Sequence, residues 1–154
     1  MRATEILLVD DNPADTDLTS EVLSRNGCPS HIHAVVNGAD AIALLRREGK
    51  YAHAILPDFM ILDLNLPKKD GRAVLAEVKA DPVLRKIPIA IFSTSEARQD
   101  IVRSYELGAN CYVSKPGNLQ GFISAVTSIG EFWFSLACLP REENGDLRPT
   151  PAKN

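Results

Sequence analysis

No stretch of the 154 residues approaches the roughly 20 consecutive apolar residues that a membrane span needs. The opening MRATEILLVDD lacks the long apolar segment of a secretory signal. Cysteine is scarce as well. Cys28, Cys111 and Cys138 are odd in number, far apart and without a Cys-x-x-Cys spacing, which argues against a disulfide framework and makes the cytoplasm the expected location. Excess basic charge is also missing: the net charge is −3, which speaks against a nucleic-acid-binding surface. There are no repeats and no sign of a second domain. What remains is ordinary globular composition, 45% hydrophobic and 24% charged, in a chain of single-domain length. A chain this long buries roughly 68–70% of its unfolded surface, enough for a core without covalent staples.

Short apolar runs alternate with helical patterns. ILLV (Ile6–Val9), HIHAVV (His31–Val36), FMILDL (Phe59–Leu64), IAIF (Ile89–Phe92) and CYVS (Cys111–Ser114) read as strands. Three of them are apolar on consecutive residues, the pattern of parallel strands covered by helices on both faces. Between them stand helices with readable starts. Asn12 before Pro13 is an N-cap with proline at the first helical position. Asn37, Asp70, Ser95 and Asn118 precede the other four helices, and Gly108 suits a left-handed C-terminal cap. Five βα units with right-handed crossovers predict a doubly wound α/β fold with a five-stranded parallel sheet in the flavodoxin-like order 2-1-3-4-5. LPREENGDLRPTPAKN changes character: it is rich in proline and charge and has no periodicity. The expected organisation is therefore a folded domain over 1–138 and a mostly disordered tail over 139–154.

In an open α/β sheet, function gathers beyond the carboxyl ends of the strands. The first strand ends in Asp10 and Asp11, the third in Asp63, the fourth in Ser93-Thr94-Ser95 and the fifth in Lys115 before Pro116. Three carboxylates brought to one edge repel each other unless a hard divalent cation joins them. Mg²⁺ fits, since it prefers oxygen ligands, keeps several waters and takes few protein carboxylates. Asp10 and Asp11 read as its anchor. Asp63 reads either as a further ligand or as a nucleophile that would form an acyl phosphate. Lys115 and the metal would offset charge on a transferring phosphoryl group, and Ser93 would hydrogen-bond its oxygens.

The segments LLVDDN, LDLNLPKKDG, IFSTS and YVSKP, in this order, resemble the receiver domains of two-component response regulators over Ile6 to Trp133. The resemblance implies that Asp63 is the phosphoacceptor. It also implies that Asp10, Asp11, Asp63 and the backbone carbonyl of Asn65 hold Mg²⁺, and that Lys115 contacts the phosphoryl group. Ser93 falls on the switch hydroxyl and Tyr112 on the switch aromatic. Asn65, Thr94 and Ser95 fall on positions that modulate the chemistry, and the Lys115–Pro116 bond is expected to be cis. REGKYAHAILPDFMILDLNLPKKDG and GEFWFSLACLP are similar to small single-domain regulators paired with phytochrome-type histidine kinases, which makes such a kinase the expected partner. The implied output is a phosphorylation-dependent repacking of the fourth helix, fifth strand and fifth helix, read by another protein in a phosphorelay.

Two other functions fit less well. An aspartate-nucleophile phosphohydrolase places a second acid two residues after the nucleophile, where this chain has Asn65, so no turnover enzyme is expected. A flavodoxin-type carrier needs a hydroxyl- and glycine-rich loop after the first strand, where DDNPAD would repel a flavin phosphate. In the last helix, Leu119, Ile123, Val126, Trp133 and Ala137 are expected to face the sheet. Phe132 stands away from that stripe, flanked by Ile129 and Leu136, which suggests a homodimer contact.

Overall fold

The computed structural model describes residues 3–140. Five strands, β1 (Thr4–Val9), β2 (Ser30–Val35), β3 (Phe59–Leu62), β4 (Ile89–Ser93) and β5 (Cys111–Ser114), alternate with five helices. These are α1 (Pro13–Ser24), α2 (Gly38–Leu45), α3 (Gly71–Ala80), α4 (Arg98–Glu106) and α5 (Leu119–Gly130). Every strand pair is parallel and the order is β2-β1-β3-β4-β5, as the alternation of apolar runs predicts.

The strand period of two divides the core. From β1, Leu7 and Val9 point to one face, where Met60, Leu62, Val74, Leu75 and Val78 pack. Ile6 and Leu8 point to the other, with Phe59, Ile61, Phe92, Phe122 and Val126. Burying each of these side chains contributes about 1.5–3 kcal/mol. The central strands β3 and β4 are buried at every residue, which explains their unbroken apolar runs, whereas β2 and β5 at the edges are only partly covered.

Helix starts follow the local chemistry. Asn12, Asn37, Asp70 and Asn118 each accept a first-turn backbone N–H, replacing a hydrogen bond the helix cannot make for itself. Ser95 does not cap α4 as expected. The helix starts later than expected, at Arg98 with Ala97 as its N-cap and no side-chain bond, so Ser95 lies two residues upstream of that cap, where its hydroxyl donates to Asp100 at 2.6 Å and accepts from the Ala97 N–H at 3.3 Å. Gly108, at φ +109°, ends α4 in a conformation that side chains other than hydrogen rarely adopt.

The last helix differs in phase from the sequence reading. It ends at Gly130, and Glu131–Leu136 winds on as a π-helix. The wider turn brings both Trp133 and Phe134 against Phe59, at ring-centroid distances of 5.0 and 5.5 Å. Phe122, Val126 and Ile129 form the buried stripe, and Leu119 is 64% exposed rather than facing the sheet. Ile129 is thus a core residue and not part of an outer patch, whereas Phe132 and Leu136 remain exposed. Leu139, placed in the tail from sequence, packs on the same core cluster. The rest of that tail, from residue 141, lies outside the described residues.

Candidate functional site

The site forms where the carboxyl ends of β1, β3, β4 and β5 meet. Asp10 and Asp11 leave β1 just before α1. Asp63 leaves β3, its N–H donating to the Val9 carbonyl at 3.0 Å, so the two strand ends stay in register. Asp10, Asp11 and Asp63 each offer a carboxylate oxygen within 4.8 Å of the others, the one such cluster among the described residues. Asp10 and Asp63 are buried and Asp11 is exposed, so the cluster opens to solvent on one side.

Lys115 holds the acids together. Its side chain is 4% exposed, and its ammonium donates to Asp10 Oδ2 at 2.8 Å, Asp15 Oδ2 at 2.9 Å and Asp63 Oδ2 at 3.0 Å. Burial works to lower the pKa of this ammonium. The hydrogen bonds to Asp10 and Asp15, with the charges of Asp10 and Asp63, outweigh burial and hold it well above the ordinary lysine range. The Asp10 pKa is also raised, but for the opposite reason: burial pushes it up more than Lys115 and the Asn12 N–H, which donates to Oδ1 at 2.9 Å, pull it down. A buried acid resisting its own charge is one that a divalent cation would favour. The donors are all oxygen, few and partly open to water, which suits Mg²⁺ better than a softer metal.

The backbone behind Asp63 is set by a close contact. A Cβ on Gly71, the first residue of α3, would lie 2.1 Å from the Asp63 carbonyl oxygen, and the Gly71 N–H donates to the Leu64 carbonyl at 2.8 Å. The start of α3 is therefore pressed onto the loop that carries Asp63. Leu62 pairs with Ile91, so Asp63 and Ser93 leave neighbouring strands one residue apart in register.

Ser93 is fully buried, and its Oγ accepts from the Ser95 N–H at 3.4 Å. The Tyr112 hydroxyl donates to the Ser95 carbonyl at 2.9 Å. Thr94 and Asn65 are exposed at the mouth. Of the residues singled out in the sequence, the fold brings Asp10, Asp11, Asp63 and Lys115 into one cluster and joins Ser93, Ser95 and Tyr112 by hydrogen bonds beside it. Phe132 and Leu136 belong to the separate C-terminal segment.

Sequence reasoning missed Asp15. It is the acid in the first turn of α1, and its own N–H is capped by Asn12 at 3.1 Å. That placement one turn into the helix, beside the acid pair, was the available signal. Its partner Lys115 stands 100 residues away in the chain.

The chain is similar to proteins of known sequence and structure. A family model described as the response regulator receiver domain matches residues 6–127. The response regulator Rcp1 of Synechocystis is 42% identical over 135 residues, covering 88% of this chain and 92% of that protein. The phosphorylated cyanobacterial phytochrome response regulator RcpA superposes with a TM-score of 0.88 at 49% identity, covering 90% of this chain and 99% of that one. The Mn²⁺-bound form of Rcp1 superposes with a TM-score of 0.87 at 42% identity, covering 89% and 99%.

Proposed function

This chain belongs to the response regulator receiver domain family, and we propose that it is a phosphorylation-controlled signalling module that takes a phosphoryl group onto Asp63 from the phosphohistidine of a histidine kinase. The observation that carries this reading is the Lys115 ammonium, buried and shared between Asp10 and Asp63 beside an all-oxygen cluster.

Asp10 and Asp11, with Asp63 and the backbone carbonyl of Asn65, would hold Mg²⁺. When bound, the ion would offset negative charge on the transferring phosphoryl group. An Asp63 carboxylate oxygen attacks phosphorus; a P–O bond forms, the P–N bond of the phosphohistidine breaks, and the departing imidazole takes its proton from solvent. Lys115, already aimed at Asp63, follows the phosphoryl oxygens, and Asp10 and Asp15 retain its other bonds. Ser93 exchanges its bond from the Ser95 N–H for one to a phosphoryl oxygen. Tyr112 then repacks, and the surface of α4, β5 and α5 changes for a protein partner. Water later cleaves the acyl phosphate, with Asn65, Thr94 and Ser95 tuning its approach. No separate substrate turns over.

The similarity to a phytochrome response regulator supports a phytochrome-type kinase as donor, and we place the chain in the cytoplasm; among the described residues no helix is long and apolar enough to cross a membrane. Exposed Phe132 and Leu136, at 49% and 73%, are the surface we assign to a homodimer. The test is acetyl phosphate with Mg²⁺ on the wild type and on Asp63→Asn, read by intact mass and by Trp133 fluorescence. The wild type should gain one phosphoryl group and the variant none. A wild type left unmodified, or modification surviving in Asp63→Asn, would overturn the reading.

A further inference from the structure

Beside the acid cluster runs a second line of polar contacts, through Asp70, Arg72 and Asp100, that the proposed chemistry does not use. It begins at α3, the helix pressed onto the Asp63 loop. Asp70 caps that helix by accepting from the Arg72 N–H at 2.7 Å. The Arg72 guanidinium is clamped on Asp70 at 3.2 and 3.1 Å. From there Arg72 Nη2 donates to Asp100 Oδ1 on α4 at 2.8 Å. The other Asp100 oxygen accepts from Ser95 Oγ at 2.6 Å.

Ser95 is then held at three more points: its hydroxyl accepts from the Ala97 N–H at 3.3 Å, its carbonyl accepts from Tyr112 and its N–H donates to Ser93 Oγ. Both charged ends are partly sheltered, with side chains 30% and 23% exposed. The hydrogen bonds from Ser95 and Arg72 hold the Asp100 carboxyl below its usual range, as expected for an acceptor used from two sides.

We propose that Arg72 and Asp100 are positioning residues, a latch that pins Ser95 and through it keeps Ser93 and Tyr112 in the arrangement of the unphosphorylated chain. The inference rests on the proposed function. Only one residue separates Ser93 from Ser95, and Ser93 Oγ accepts the Ser95 N–H, so a Ser93 drawn toward a phosphoryl group on Asp63 gives up that bond and takes the loop along with it. That movement pulls Ser95 from Asp100 and from the Tyr112 hydroxyl. The latch therefore stabilises the resting state and not the phosphorylated one, and its strength sets how readily the site accepts the group.

The test is the affinity for beryllofluoride, a phosphoryl mimic, in saturating Mg²⁺. Asp100→Asn and Arg72→Gln should each bind it about fivefold more tightly than the wild type, the effect of losing one partly sheltered ion pair. The double variant should gain little beyond either single change, because both remove the same link. Ser95→Ala should tighten binding similarly, and Ser95→Thr, which keeps the hydroxyl, should stay near the wild type. Mg²⁺ affinity without beryllofluoride should not move. A merely structural loss would weaken binding, so tighter binding is the distinguishing sign. Unchanged or weaker beryllofluoride binding in Asp100→Asn and Arg72→Gln, with a wild type that binds it, overturns the latch. A wild type that fails to bind overturns the proposed function itself.

Discussion

Replacing Lys115 with methionine removes the one cation that now reconciles Asp10, Asp15 and Asp63. The pair Lys115–Asp10 is 2.8 Å apart with both side chains 4% exposed. At an effective dielectric of about 20, such a contact carries roughly 6 kcal/mol of attraction. Desolvation of the two ions takes back most of that, yet removing one partner still costs about 3–5 kcal/mol, because the other is left buried and unpaired. The lower end is expected here. Methionine keeps most of the volume of the lysine stem, Asp15 is 25% exposed and has access to water, and Asp10 is already inclined by burial to take up a proton. In chelator near neutral pH the variant should therefore lose about 3 kcal/mol.

The pH dependence has a definite sign. Without the ammonium, the folded-state pKa of Asp10 rises further above its unfolded value. The folded state then binds the proton more tightly, and the deficit narrows as the pH falls toward the carboxylate range. Mg²⁺ should act in the same direction by supplying the missing charge. At about 100 times its dissociation constant it contributes about 2.7 kcal/mol, and its gain should be larger in the variant, where no ammonium competes for the oxygens. Urea denaturation with chelator and with Mg²⁺, at about pH 7 and about pH 5, measures all three effects. A loss below about 1 kcal/mol in chelator, or equal Mg²⁺ gains in the two proteins, would refute the electrostatic account of the site.

Gly71→Ala should cost about 2 kcal/mol or more, since the added methyl would sit 2.1 Å from the Asp63 carbonyl oxygen and push on the backbone that carries the phosphoacceptor; urea midpoints and acetyl phosphate labelling should fall together. Glu77 is held below its ordinary pKa of 4.5 first by Lys69 at 2.8 Å and then by Arg46 at 3.0 Å. Its contribution is therefore present above that value and lost as pH falls through the depressed one, so the stability–pH curve of Glu77→Gln should be flatter in that acid window and should differ from the wild type by no more than about 1 kcal/mol near neutrality. Phe132→Ala should change urea stability of the monomer by less than about 1 kcal/mol, because the ring is 49% exposed. It should also dissociate a wild-type dimer in sedimentation velocity; a wild type that stays monomeric at high concentration would remove the dimer surface.

Much of the site could be read from the chain because the parallel sheet converts order into position. Once ILLV, FMILDL, IAIF and CYVS are strands of one doubly wound sheet, Asp10, Asp11, Asp63, Ser93 and Lys115 must emerge at the same edge. Asparagine and aspartate caps marked four helix starts for reasons contained within three or four residues. The misreadings came where a local rule met a competing partner. Ser95 looked like a cap, but the helix begins three residues later at Arg98, and the Ser95 hydroxyl instead bridges Asp100 and the Ala97 N–H. The α5 stripe was drawn through Trp133 and Ala137 at constant period, but the π-helical turn after Gly130 breaks that period, so the buried face of α5 itself runs through Phe122, Val126 and Ile129 and leaves Leu119 outside.

The sequence by itself determined the strands, the strand order and the acids that line one edge, since short-range periodicity and chain connectivity suffice for these. Only the tertiary structure decided that Asp15 shares Lys115 and that Arg72 reaches Ser95 through Asp100. Those contacts join side chains far apart in the chain, and a charge finds such a partner only after the backbone has brought their elements together and excluded the water that would otherwise solvate both.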